Sequence, residues 1–263
     1  MKALFLGTSA GWPLPRLGCD CPICSSSDKR DRRLRSALLA NGRFLFDAPP
    51  DIYRQLSRYP SKIGRIKHIF ITHAHLDHIL GLCDLTRVYQ GANRRQRFNL
   101  FLTESTLKGI RKILGFPFSP VFNVHTVRKN EIFAVDKVKI SFFEVVHSQT
   151  PTFGIRIRKE KILSYIPDVF SVPVVSQRLI KGSDIFILDG TNLLMRRKNI
   201  VGWGHADWEA IKELVRKTSP AQVLFTHIGH GRNSAPHKKL DKFVQSEGGH
   251  NWHIAYDGME IEV

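Results

Sequence analysis

The segment Thr72-His73-Ala74-His75-Leu76-Asp77-His78 constrains this chain more than any other stretch. It follows directly on the apolar run Ile69-Phe70-Ile71 and sets four potential ligands within six residues. At the carboxyl end of a buried strand, such a group is costly to bury without a cation, because its polar atoms leave water unpaired. Neutral imidazoles and carboxylates suit zinc, manganese or iron. In an extended turn His73 and His75 point one way while Asp77 and His78 point another, so one short loop can serve two adjacent metals. A loop of solvated histidines is the plain alternative. The density of donors and their place on a strand end argue against it.

Around this segment, strand and helix patterns interleave. Strands are predicted over residues 3–6, 36–46 (turning at Asn41-Gly42), 68–72, 137–146, 153–165 (turning at Lys159-Glu160), 185–188 and 223–226. A closing hairpin over 253–263 is predicted to turn at Asp257-Gly258. Helices are predicted over 51–58, 78–89, 104–114, 207–217 and 236–245. In the fourth, Trp208, Ile211, Leu214 and Val215 repeat at helical spacing, Asp207 can cap the start, and Pro220 lies beyond the end. No repeat, low-complexity tract or Pro/Gly/Ser-rich linker divides the chain. One α/β domain over residues 1–263, with sheets covered by helices, is the expectation.

Charge narrows the partners. Among 263 residues, Lys+Arg 40 against Asp+Glu 23 gives a net charge of +17, which favours phosphorylated metabolites, nucleic acid or anionic lipid. The basic runs 29–35, 94–97 and 196–198 read as solvated faces able to concentrate an anionic substrate. Aromatic residues do not interleave with them as in a single-strand binding platform. No stretch approaches the roughly 18 apolar residues of a membrane span, and the apolar core of Met1–Gly7 is too short for a signal sequence, so it reads as a buried first strand. Four cysteines, three of them between Cys19 and Cys24, do not make a disulfide framework. A reducing, cytoplasmic compartment is expected.

The His-x-His-x-Asp-His pattern after a hydrophobic strand resembles the signature of the metallo-β-lactamase superfamily of αββα hydrolases. The resemblance spans essentially the whole chain. His147 follows strand 137–146, Asp168 follows Tyr165-Ile166-Pro167, and His227 follows strand 223–226. It implies an αββα sandwich of two mixed sheets covered by helices. It also implies that His73, His75 and His147 hold one metal, that Asp77, His78 and His227 hold the other, and that Asp168 bridges them.

Cys19-Asp20-Cys21-Pro22-Ile23-Cys24 offers three thiolates in a short loop, and His230, three residues after His227, is the candidate fourth ligand of a zinc ion. A closed four-ligand site has no open position and is structural. With the intact histidine motif, this loop resembles the cyclic phosphodiesterases associated with carbon–phosphorus lyase phosphonate degradation. A related subfamily from quinone-cofactor biosynthesis shares the cysteine loop but typically has an eroded metal motif.

The resemblance implies a dimetal phosphodiesterase, with manganese or zinc in the catalytic pair and one structural zinc, acting on a small phosphodiester such as a cyclic ribosyl or nucleotide phosphate. Bridged metals would hold a hydroxide that is nucleophilic at neutral pH. Asp77 and His205 are expected to carry catalysis, His205 as phosphate ligand and general acid. Asp47 and Asp189 are expected to orient other residues, Asp47 by fixing an imidazole tautomer. The expected partner is a small phosphorylated substrate, with no membrane; nucleic acid is less favoured, and a homodimer is compatible. The alternatives are an RNA-processing nuclease of the same superfamily, a thioester or lactam hydrolase, and a noncatalytic nucleic-acid-binding module. No long inserted arm for gripping RNA is present, lactamases do not share the three-cysteine loop, and binding alone does not need the ligand set.

Overall fold

Neighbouring residues of the first strand belong to different cores. Leu4 and Leu6 pack with Leu39, Leu45, Ile69 and Ile71, whereas Ala3 and Phe5 pack with Phe46, Phe70 and Phe142. Side chains of a strand alternate between faces, so a strand apolar on both must be covered on both. The computed structural model shows how, and it describes residues 1–91, 97–115, 121–195, 204–231 and 234–263.

One sheet holds β1 (Lys2–Gly7), β2 (Ala37–Ala40), β3 (Phe44–Phe46), β4 (His68–Phe70), β5 (Phe98–Thr103), β6 (Phe122–Val127) and β14 (Glu260–Glu262), in the order β14-β1-β2-β3-β4-β5-β6. The other holds β7 (Ile132–Val135), β8 (Val138–Val145), β9 (Thr152–Arg158), β10 (Ile162–Ile166), β11 (Ile185–Asp189), β12 (Gln222–Thr226) and β13 (Trp252–Ile254), ordered from β13 back to β7. Between the sheets lies an aromatic layer in which Phe46 and Phe101 each stack on Phe70 with centroids 5.0 Å apart. Helices α1 (Ile52–Ser57), α3 (Leu76–Ile79), α4 (Gly81–Gly91) and α5 (Glu104–Leu114) bury Ile52, Ile79, Leu82 and Ile110 on the outer face of the first sheet; the short α2 (Pro60–Ile63) follows α1. Helices α6 (Val174–Ile180), α7 (Trp208–Thr218) and α8 (His237–Gly248) bury Ile180, Trp208 and Val244 on the second. This is the αββα sandwich expected from the sequence.

Strands β3 to β6 run parallel, and so do β10 to β13. Ligands of open α/β sheets gather at the carboxyl ends of such strands. Here the ends of β4, β10, β11 and β12 lead into residues 71–78, Asp168, Asp189 and His227.

The structure corrects three sequence expectations. The closing hairpin does not form: β13 pairs parallel with β12 and β14 antiparallel with β1, so the Asp257-Gly258 turn carries the chain from one sheet to the other. The single helix over 78–89 is two helices. Gly81 donates to the Ala48 carbonyl at 2.8 Å, and a Cβ there would lie 2.2 Å from the Pro49 oxygen, so the backbones approach too closely for any other residue. The run 29–35 is solvated only in part, because Lys29 and Arg32 are exposed whereas Asp31 and Arg33 are buried. Strands β5, β6 and β7 and helix α6 had no sequence assignment. Basic residues 94–96 and 196–198 lie outside the described residues. Among the described residues, no helix is long and apolar enough to cross a membrane.

Candidate metal centre

Beyond β4 the chain runs to His75, whose backbone is extended, and then enters the first turn of α3, which carries Asp77 and His78. His73 Nε2 lies 2.9 Å from His75 Nδ1, which lies 3.3 Å from His147 Nε2 at the end of β8. The opposite ring nitrogens are tethered. His73 Nδ1 meets Thr72 Oγ1 at 3.0 Å, His75 Nε2 meets Thr150 Oγ1 at 2.9 Å, and His147 Nδ1 donates to the Gly204 carbonyl at 2.5 Å. Burial drives His73 well below the ordinary histidine value and lowers His75 and His147 as well. The three rings therefore present converging neutral lone pairs.

Asp77, His78 and His227 form a second group. Asp77 Oδ2 lies 3.6 Å from His78 Nε2 and 3.5 Å from His227 Nε2. Asp168 stands between the two groups, with Oδ2 2.9 Å from His78 Nε2 and Oδ1 3.4 Å from His227 Nε2 and 3.6 Å from His147 Nε2. Burial opposes charge on His78 and His227, but the carboxylates outweigh it, chiefly Asp168. His78 is driven well above the ordinary value and His227 up to about 10. Despite the short distances, His78 Nε2, Asp168 Oδ2 and His227 Nε2 are buried without a hydrogen bond among the described residues. Buried polar atoms are rarely left so. Converging donors of this kind, within 4.8 Å of one another in each group, fit divalent ions.

Asp47 ends β3 and binds this loop from behind. Its Oδ1 accepts from the Thr72 N–H at 2.9 Å, and its Oδ2 from His78 Nδ1 at 2.9 Å and from the Tyr165 hydroxyl at 3.3 Å. The imidazole it orients is thus that of His78. Asp47, Ser148 and His227 have φ of 59°, 47° and 53°, a left-handed backbone that non-glycine residues seldom adopt. Strain of this kind collects at functional sites, where the surrounding contacts impose it.

His205 precedes α7 and faces the same cavity, of about 790 Å³, as His75, Asp77, His147, Asp168 and His227. Its Nδ1 lies 2.6 Å from Asp189 Oδ2, while Asp189 Oδ1 accepts from the Thr191 N–H at 2.8 Å. Burial pushes His205 down, but Asp189 outweighs it and the net shift is upward. Gly204 has φ +69°, and a Cβ there would sit 2.8 Å from His147 Nδ1, so only glycine can carry this chain past His147 into His205.

The cysteine loop folds over the segment after β12. Cys19, Cys21 and Cys24 place their sulfurs 3.4, 3.2 and 3.3 Å from one atom, His230 Nε2. The structure thus brings His73, His75, His147, Asp77, His78, His227, Asp168 and His205 together at one place, and Cys19, Cys21, Cys24 and His230 at another. Sequence reasoning missed Thr150, Thr191, Gly204 and Tyr165. Thr191 Oγ1 meets His227 Nδ1 at 2.9 Å. Only Thr72, adjacent to His73, had a positional signal.

Residues 42–228 match the family model described as the β-lactamase superfamily domain. A diphosphatase of the PhnP family is 27% identical and superposes with a TM-score of 0.83, over 100% of this chain and 97% of that one. Zinc-bound PqqB from Methylobacterium extorquens, at 24% identity, superposes with a TM-score of 0.82 over 100% of both chains. The octanoyltransferase of Porphyromonas gingivalis is 23% identical over 271 residues, which take in 99% of this chain and 51% of that protein. The chain belongs to the β-lactamase superfamily and has the metallo-β-lactamase fold of its hydrolases.

Proposed function

We propose that the chain is a dimetal phosphodiesterase acting on a small phosphodiester such as a cyclic ribosyl or nucleotide phosphate. The observation that carries this reading is His205: a histidine oriented by a buried carboxylate, at the edge of two donor groups, in the cavity they share. His73, His75 and His147 would hold one ion, Asp77, His78 and His227 the other, and Asp168 would serve both. Zinc or manganese ions supply Lewis acidity and a nucleophile at neutral pH. The chain's own residues do the rest. Asp47, Thr72 and Thr150 fix imidazole tautomers, and Asp189 holds His205 Nδ1. The remaining nitrogen, Nε2, can then give its proton to the leaving alkoxide. The diphosphatase relative, by its name, also works at phosphorus.

The test is a parallel assay of metal-reconstituted protein on cyclic nucleotides, phosphoribosyl cyclic phosphate, structured RNA and nitrocefin. Turnover of a cyclic phosphate with shallow salt dependence is expected, because a small anion releases few counterions. Preference for RNA with a steep salt dependence would replace this reading by that of a nuclease.

Cys19, Cys21, Cys24 and His230 would hold a structural zinc, since four protein ligands leave no open position. There, metal affinity is folding free energy. Cys21→Ser is therefore expected to lose one zinc per chain and to lower the thermal midpoint, while the folded fraction keeps its activity. Elemental analysis with a melting curve checks this; unchanged zinc and midpoint would remove the assignment.

A further inference from the structure

A second cavity, of about 590 Å³, adjoins the metal centre, and Trp12 and Arg16 line both. Resting its placement on the phosphodiesterase reading, we propose that this cavity is an anion subsite that takes a second phosphate of a nucleotide substrate, with the base against Trp12.

The loop between β1 and the cysteines forms the partition. On one side, a Cβ at Gly11 would lie 3.4 Å from Asp77 Oδ2. On the other, the Gly11 carbonyl accepts from Arg35 Nε at 2.8 Å. The loop is pinned, because Ser9 Oγ donates to the Trp12 carbonyl and Leu14 exchanges backbone hydrogen bonds of 2.7 and 3.0 Å with Arg33.

Arginines wall the cavity, and among the described residues no carboxylate lines it. Some of these arginines are already engaged. Arg35 pairs with Asp51 at 3.1 Å, Arg58 with Asp257 at 3.5 Å, and buried Arg33 is held by Thr8, His237 and the Ala255 carbonyl. Others are not. Arg32 and Arg54 are exposed, and neither has a side-chain hydrogen bond or ion pair among the described residues. The Arg16 guanidinium meets His230 Nδ1 at 3.3 Å and the Trp12 ring at 5.3 Å, and no carboxylate among the described residues. Unneutralised guanidinium groups around one cavity repel each other, and an anion relieves that repulsion. Their planar forks match phosphate oxygens in particular.

Trp12 supplies the other half of the argument. Its side chain is 64% exposed on an anchored backbone, at the junction of the two cavities. An exposed indole there, with the Arg16 guanidinium 5.3 Å from its ring centre, offers a surface on which a base of any sequence can stack. The layout runs from metal centre to indole to arginines, and it fits a nucleotide that carries its ester at one end and a free phosphate at the other.

Calorimetry on the metal-loaded protein tests this with thymidine 3′,5′-bisphosphate and thymidine 5′-monophosphate. The bisphosphate should bind at least tenfold more tightly, and in the Arg32→Gln/Arg54→Gln variant that advantage should shrink to within twofold. Trp12→Leu should weaken both thymidine ligands and leave ribose 5-phosphate binding as it was. No advantage in the unaltered protein, or an advantage that survives the double substitution, overturns the subsite. Both arginines are exposed, and a thermal midpoint equal to that of the unaltered protein verifies the variant's fold. If an oligouridylate loses more affinity in the variant than the bisphosphate does, the arginines belong to a polynucleotide track and the small-nucleotide assignment falls. Turnover of thymidine 5′-(p-nitrophenyl phosphate), with and without a 3′-phosphate, is read separately. If neither ester is hydrolysed, the phosphodiesterase reading fails, while the binding comparison still decides the subsite.

Discussion

His205→Ala is expected to lower turnover of an alkyl phosphodiester by about 10²–10⁴-fold, the usual contribution of a general acid, with the metal content unchanged. The size of the loss should follow the leaving group. An alkoxide needs the proton, whereas p-nitrophenolate hardly does, so the nitrophenyl ester should suffer a clearly smaller loss that reports phosphate binding alone. Equal losses for both esters would strip His205 of its acid role. The pH profile gives a second reading. Asp189, 2.6 Å away, raises the His205 pKa above its ordinary value of about 6.5. The acid must be protonated to act. Activity on the alkyl ester should therefore fall as the pH rises through that raised pKa, and the alanine variant should lack this limb.

Asp168→Ala should cost rate and metal together. Its two oxygens approach imidazoles of both donor groups, so truncation weakens both ions at once. Loss of roughly 4 kcal/mol of transition-state stabilisation, some 10³-fold in rate or more, is expected. Elemental analysis should find the pair depleted and the zinc of the cysteine loop retained. A variant that keeps both ions and near-normal activity would refute the placement of Asp168 between them.

How much of this was legible in the sequence depended on whether the cause was local. His73, His75, Asp77 and His78 were readable because the motif is contiguous and follows an apolar strand. His147, Asp168 and His227 are weak signals taken singly; they were readable because their order, spacing and strand-end placement match what the superfamily resemblance implies. Thr150, Thr191 and the Gly204 carbonyl left no such trace. Each touches its histidine only after separate elements pack, and a threonine in a loop has no characteristic spacing. The closing segment failed for another reason. An Asp-Gly turn looks the same whether the chain doubles back or crosses to a second sheet, and the alternating apolar residues on either side fit both outcomes. The run 29–35 misled because a charged sequence suggests solvent, while Arg33 is buried among hydrogen-bond acceptors from Thr8 and Ala255.

Each donor triad draws two members from the segment after β4, in one sheet, and one from the other sheet: His147 from β8 for the first, His227 from β12 for the second. An ion held there works as a clasp across the seam of the sandwich. Sliding one sheet a fraction of an ångström past the other would loosen both triads together, so occupancy and alignment are thermodynamically linked. The aromatic layer between the sheets, where Phe70 of the first meets Phe142 of the second with ring centroids 6.5 Å apart, contributes to that alignment. A conservative substitution in this greasy interior would thus be felt first as weaker grip on the ions, before any change in the shape of the mouth above them.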